Sequence, residues 1–192
     1  MAKKTPFLIC LTGGVASGKT TVSNKMNELG LDIIDTDVLA RNVVEEGSKG
    51  LNGLVSAFGS EILNNSGSLN RKALRKVVFS VPEMMVKLNS IIHPLIHEEV
   101  LRMINVSNSK VLVVVIPLYY GQDGYQFFDR VCVVDVHESV QLSRLKQRDG
   151  IDDKLAGQML ESQIKRGERL VLADDVISNE KELDNLLSKV KN

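Results

Sequence analysis

Apolar residues come in two patterns along this chain, short continuous runs and longer stretches with helical spacing, and the two alternate. Phe7–Leu11 is the first short run and predicts a buried strand. Thr20–Leu29 follows with Val22, Met26 and Leu29 on one helical face, and Gly30 is its stop. Leu31–Ile34 predicts a second strand ending in Asp35-Thr36-Asp37, at the sheet edge where open α/β folds bind ligands. From Val38 to about Asn105 the pattern is helical, with breaks expected at Gly47, Gly50, Asn64–Gly67 and Pro82. That is too long for one crossover helix, so a helical lobe is expected beside the sheet.

Val111–Ile116 and Val131–Val136 are β-branched runs without alternation, the pattern of parallel strands covered on both faces. Between them, Tyr119–Asp129 reads as a polar and aromatic loop. Ser139–Asp149 predicts a helix stopped by Gly150, and Asp152 an N-cap of another running to about Leu172. Asp175–Ser178 and a helix from Lys181 close the series. The alternation predicts a three-layer α/β/α fold on a parallel sheet. Its core is expected at about 1–37 and 110–192, with a helical lobe at about 38–109 and a lid at about 139–170.

Between the first strand and the first helix lies Gly13-Gly14-Val15-Ala16-Ser17-Gly18-Lys19-Thr20, which satisfies the phosphate-binding pattern GxxxxGK[ST] at every fixed position. Glycines let the backbone approach a ligand, and amides at a helix start form a nest for an anion. Lys19 then reaches the β- and γ-phosphates, and the Thr20 hydroxyl is a ligand for Mg2+. A nucleoside-triphosphate site in a P-loop fold is the expectation.

Composition narrows the class. The 192 residues are 43% hydrophobic and 25% charged, with Lys plus Arg and Asp plus Glu both at 24, so no overall basic field draws nucleic acid. The longest apolar run, Val111–Tyr120, is well below the ~18 residues of a membrane span. Met1-Ala2-Lys3-Lys4 is followed by too short an apolar run for a signal peptide. A cytoplasmic protein with no membrane or nucleic-acid partner is expected, as a monomer or small homo-oligomer. Cys10 and Cys132 fall in predicted strands and read as packing residues. His93 and His97 lack a third ligand and have Pro94 between them, so they do not read as a metal site, and His93-Pro94 is expected to start a helix.

No Asn-Lys-x-Asp guanine-reading motif occurs, which argues against a switch GTPase. A small-molecule kinase needs a carboxylate beside the γ-phosphate. Asp35 and Asp37 are the candidates, and they are expected to face opposite sides, leaving one for the acceptor hydroxyl. Arg144 and Arg148, four apart on a helix, are candidates for neutralising the transferred phosphoryl group. Arg71 and Arg75 repeat that spacing in the lobe.

Together these residues resemble the dephospho-coenzyme A kinase family over nearly the whole chain. The resemblance rests on Leu11–Thr21, Ile34–Asp37 through Ala40-Arg41, Leu69-Asn70-Arg71, His93-Pro94, Pro117-Leu118, Arg144 with Arg148, and Ala173–Asn179. It implies ATP- and Mg2+-dependent phosphorylation of the ribose 3′-hydroxyl of dephospho-CoA, the final step of coenzyme A biosynthesis. It further implies that Asp37 is the base, that Arg144 and Arg148 belong to the lid, and that the lobe holds the acceptor. On the same ground Gly13–Thr21 and Asn179 are expected at the nucleotide, Thr20 and Asp35 at the metal, and Asp37, Arg41, Arg71, His93, Pro117 and Leu118 at the acceptor. Three departures stand out: Ala16 where the family usually has glycine, Thr36 for alanine, and Tyr119-Tyr120-Gly121 in place of the usual apolar-plus-glutamate sequence. A nucleoside or nucleoside-monophosphate kinase and a non-catalytic nucleotide-binding module are the alternatives.

Overall fold

The computed structural model describes residues 5–79, 81–121 and 124–180; the helix expected from Lys181 lies outside them. Five parallel strands form one sheet in the order β2-β3-β1-β4-β5. They are β1 (Phe7–Gly13), β2 (Asp32–Asp35), β3 (Val111–Val115), β4 (Arg130–Asp135) and β5 (Asp175–Ser178). The glycine-rich loop thus leaves the central strand. Leu11, Val113, Val115, Cys132, Val134 and Ile177 form one face, on which Val22 and Met26 of helix α1 (Lys19–Glu28) pack. The alternate residues Cys10, Leu112, Val114 and Val133 are buried as well, so both faces are covered, as continuous β-branched runs require.

The chain divides into two compact units, one running to Asp35 and resuming at Val106, the other Thr36–Asn105. The second is helical, with α2 (Thr36–Asn42), α3 (Lys49–Phe58), a 3-10 turn (Ser60–Ile62), α4 (Arg71–Val78) and α5 (Pro82–Val106). Its core is Val44, Leu54, Phe58, Ile62, Leu74 and Val78. Ser48 caps α3 by accepting from the Leu51 amide, and Asn70 caps α4 by accepting from Ala73.

Three expectations about helix boundaries are corrected. Gly50 does not break a helix but lies inside α3, where a Cβ would sit 2.0 Å from the Val43 carbonyl oxygen. Close packing, not chain reversal, explains this glycine. His93-Pro94 does not start a helix, because Pro94 lies in the middle of α5. The proline supplies no N–H to the turn before it, and the helix continues because Ile96, Val100 and Ile104 are buried beyond it. The helix expected from Asp152 to Leu172 is two, α7 (Asp153–Glu161) and α8 (Arg166–Val171). Asp152 does cap α7, accepting from Leu155 at 2.8 Å, but the chain turns at Ser162, whose hydroxyl donates back to the Met159 carbonyl. Helix α6 (Glu138–Asp149) ends at Gly150 with φ 65°, as its sequence predicts.

Cys10 and Cys132 are both buried and reduced, on opposite faces of the sheet. Burial pushes both thiols up, Cys132 to about 11. No described helix is long and apolar enough to cross a membrane, and no described cluster of three His, Cys, Asp or Glu could hold a metal.

Candidate active site

The loop Gly13–Thr20 turns from the C-terminal end of β1 into α1. Its Gly18 occupies the N-cap position with φ 94°, and no side chain caps the helix there. The first turn therefore presents main-chain amides and the positive end of the helix dipole. Lys19 folds back over the loop, its Nζ donating to the carbonyls of Gly13 at 2.8 Å and Gly14 at 2.9 Å. Thr20 is exposed beside it. Ala16 has φ 55°, a left-handed conformation that costs a residue with a Cβ ~1–2 kcal/mol. That is the cost of alanine where the related family usually has glycine.

Four side chains distant in sequence hold this loop. Asn179, just past β5, donates from Nδ2 to the Ser17 carbonyl at 2.7 Å. A Cβ on Gly18 would lie 2.3 Å from that nitrogen, so Gly18 is required by packing as well as by its φ. Val15 is held at both ends of its main chain: Gln141 of α6 donates to its carbonyl at 2.7 Å, and Gln163, in the turn before α8, accepts from its N–H at 2.9 Å. Arg169 of α8 is buried against Gly14, where a Cβ would lie 2.9 Å from Nη2. Beside them, Arg166 grips buried Asp135 at the end of β4 with contacts of 2.9, 3.2 and 2.6 Å.

Gln141, Gln163, Arg166, Arg169 and Asp135 were not among the residues singled out from the sequence. One signal was available. Gln141 lies four residues before the apolar Leu145, so a polar group occupies a position that a helix turns inward.

Arg144 and Arg148 part company. Arg144 is half-buried and donates to the Asn179 carbonyl at 3.0 Å, on the loop side of α6. Arg148 is turned to Asp149 beside it, in an exposed pair at 2.7 Å. Asp35 closes β2, in register with Val115, which pairs in turn with Leu11 before the loop. The expectation that Asp35 and Asp37 point apart by strand alternation is corrected: residues two apart in a strand share a face, and β2 ends at Asp35. Asp37 belongs instead to the first turn of α2, and Arg41 to its last. Arg71 opens α4 and His93 lies within α5, both exposed. Pro117 and Leu118 follow β3, with Leu118 exposed. Of the three departures, Tyr119 is buried with its ring edge-on to Phe128 at 6.1 Å, so it serves packing.

The dephospho-CoA kinase family profile matches residues 7–185. The chain belongs to the dephospho-CoA kinase family. A dephospho-CoA kinase of Shewanella oneidensis is 40% identical over 96% of this chain and 90% of its own length. One of Vibrio vulnificus is 42% identical over 96% and 92%. The structure of dephospho-CoA kinase from Campylobacter jejuni superposes with a TM-score of 0.73 at 26% identity, covering 97% of this chain and 94% of that one. A shikimate kinase from Bacteroides thetaiotaomicron, at 19% identity, 96% and 94% coverage and TM-score 0.53, shares the fold. The family assigns the activity: transfer of a phosphoryl group from ATP to the ribose 3′-hydroxyl of dephospho-CoA, giving coenzyme A and ADP in the final step of coenzyme A biosynthesis.

Proposed function

We propose that the glycine loop with Lys19 holds the triphosphate, and that Asp37 handles the proton of the acceptor hydroxyl. The observation that carries this reading is the loop itself: an amide-lined turn at a helix start, uncapped by any side chain, with the Lys19 ammonium folded over it. The Asp37 carboxylate orients the 3′-hydroxyl for in-line attack. As the new oxygen–phosphorus bond forms, the bond from the γ-phosphorus to the bridging oxygen breaks and ADP leaves. The acceptor proton passes to Asp37 and then to solvent. A free aspartate has a pKa of about 4 and is a weak base for an alcohol, so the proton moves late and positioning supplies most of the effect. Arg144 and Arg148 neutralise charge on the transferred group, while Arg41, Arg71 and His93 of the helical unit, with Pro117 and Leu118, hold the acceptor. Asn179 completes the nucleotide site by supporting the loop. Helices α6–α8 form the lid over it.

For Mg2+ the donors are of the right kind. Thr20 offers a hydroxyl at the start of α1 and Asp35 a carboxylate at the same sheet edge, both hard oxygens. Mg2+ needs few protein ligands when phosphates and water supply the rest. When bound it would neutralise the β- and γ-oxygens. The protein is read as cytoplasmic.

The test is a pair of variants. Asp37→Asn keeps the shape and loses the acceptor for the proton, so kcat should fall about 10²-fold or more with ATP affinity little changed. Asp35→Asn should lower kcat less and shift the Mg2+ dependence more. The reverse order would reject the assignment of the base.

A further inference from the structure

Arg169 is an anomalous side chain among the described residues. It is 7% exposed, and its buried Nε has no hydrogen-bond partner among the described residues. A buried cation without a partner costs several kcal/mol unless something compensates it. Asp135, Glu138 and Tyr120 act on it through space. Asp135 gives its carboxylate oxygens to Arg166, and Glu138 is exposed. Gly121 lies near the end of α8, since a Cβ on it would be 3.4 Å from Leu172 Cδ2 of the C-cap. Burial lowers the pKa of Arg169.

The surroundings suit an anion. A cavity of about 410 Å³ is lined by Gln141, Gln163, Lys165, Arg166 and Arg169, with Glu138 and Glu161 also on its wall. It adjoins the phosphate loop, because Arg169 packs on Gly14 and the two glutamines bind the main chain of Val15. At the Val15 N–H the acceptor is already an oxygen, that of Gln163, held by a neutral side chain that a phosphate oxygen can displace.

We propose that this cavity is a phosphate subsite of the loop, and that Arg169 is its charge partner, meeting the terminal phosphoryl group of the bound triphosphate. It rests on the reading of Gly13–Thr20 as the triphosphate site. In the apo state its carboxylate neighbours act only through space, and the direct partner of the guanidinium arrives with the γ-phosphate. Gly14 leaves room for both Gln141 Nε2, 2.2 Å from where a Cβ would sit, and the guanidinium at 2.9 Å.

The experiment compares Arg169→Met and Arg169→Lys with the wild type, measuring apo melting temperature, ATP and ADP affinity by calorimetry, and kcat. Removing this buried charge should leave the apo melting temperature of Arg169→Met equal or higher. ATP affinity should fall at least tenfold with ADP affinity within twofold, kcat should fall 10- to 100-fold, and Arg169→Lys should recover part of both. A lower apo melting temperature with the ATP-to-ADP affinity ratio unchanged would mean a structural residue and overturn the proposal. Lys19→Ala separates the two readings. If it loses both nucleotides while Arg169→Met keeps the wild-type ratio, the subsite fails and the loop assignment stands; if Lys19→Ala binds both normally, both fail. Inorganic phosphate identifies the source of the anion: binding that requires ADP and Arg169 supports the γ-position, and binding indifferent to ADP overturns it in favour of a separate anion site.

Discussion

Asn179→Ala isolates the support beneath the phosphate loop. The carboxamide donates to the Ser17 carbonyl at 2.7 Å, and both residues are buried, at 7% and 1% exposure. The main chain of Asn179 makes its own contacts, its N–H donating to the Asp135 carbonyl at 2.8 Å and its carbonyl accepting from Arg144. Alanine keeps those and removes the carboxamide alone. A buried carbonyl left unpaired costs ~1–3 kcal/mol, and the vacated space adds to that. The expected loss of stability is about 2–4 kcal/mol, read from urea unfolding at unchanged m. Nucleotide affinity should fall with it, because Ser17 sits in the middle of the loop whose amides must converge on phosphate. Asn179→Asp should be worse, since it sets an oxygen against the Ser17 carbonyl and a negative charge under the anion nest. A loss below about 0.5 kcal/mol together with unchanged ATP affinity would refute the reasoning.

Three further outcomes are expected. Arg144→Lys and Arg148→Lys should each lower kcat more than ATP affinity, because an ammonium cannot reproduce the planar fork, and unchanged kinetics in both would leave them as surface charges. Stability should fall as pH rises above 9.0 toward about 11, because the native state keeps the proton on Cys132 while the unfolded thiol loses it; the slope is about 1.4 kcal/mol per pH unit per thiol, and Cys132→Ala should lessen it in urea titrations at several pH values. Pro94→Ala should stabilise the protein by about 1–2 kcal/mol, by restoring a helical N–H in the middle of α5, against a smaller entropic loss in the unfolded chain; an unchanged urea midpoint would show that this turn is already satisfied.

Much of the architecture was legible because it rests on local rules. Runs such as Val111–Val115 bury both faces whatever their neighbours, and the Gly150 and Asp152 caps act within one turn of their helices. The loop motif is local too, since glycine spacing and the following helix start lie within eight residues of one another. Pro94 and Gly50 were misplaced for the opposite reason. Their tolerance depends on packing, Gly50 against the Val43 carbonyl and Leu95, and Pro94 in a helix buried at Ile96, Val100 and Ile104, and packing overrides local preference. The break between α7 and α8 likewise accompanies a tertiary contact, with Gln163 reaching the N–H of Val15 at a sequence separation of 148. Composition and spacing alone thus determined the class of fold and the phosphate-binding loop. Only the tertiary structure decided what surrounds that loop, bringing Gln141, Gln163, Arg169 and Asn179 to it, because a buried polar side chain is defined by the partner it finds and no periodicity encodes that partner.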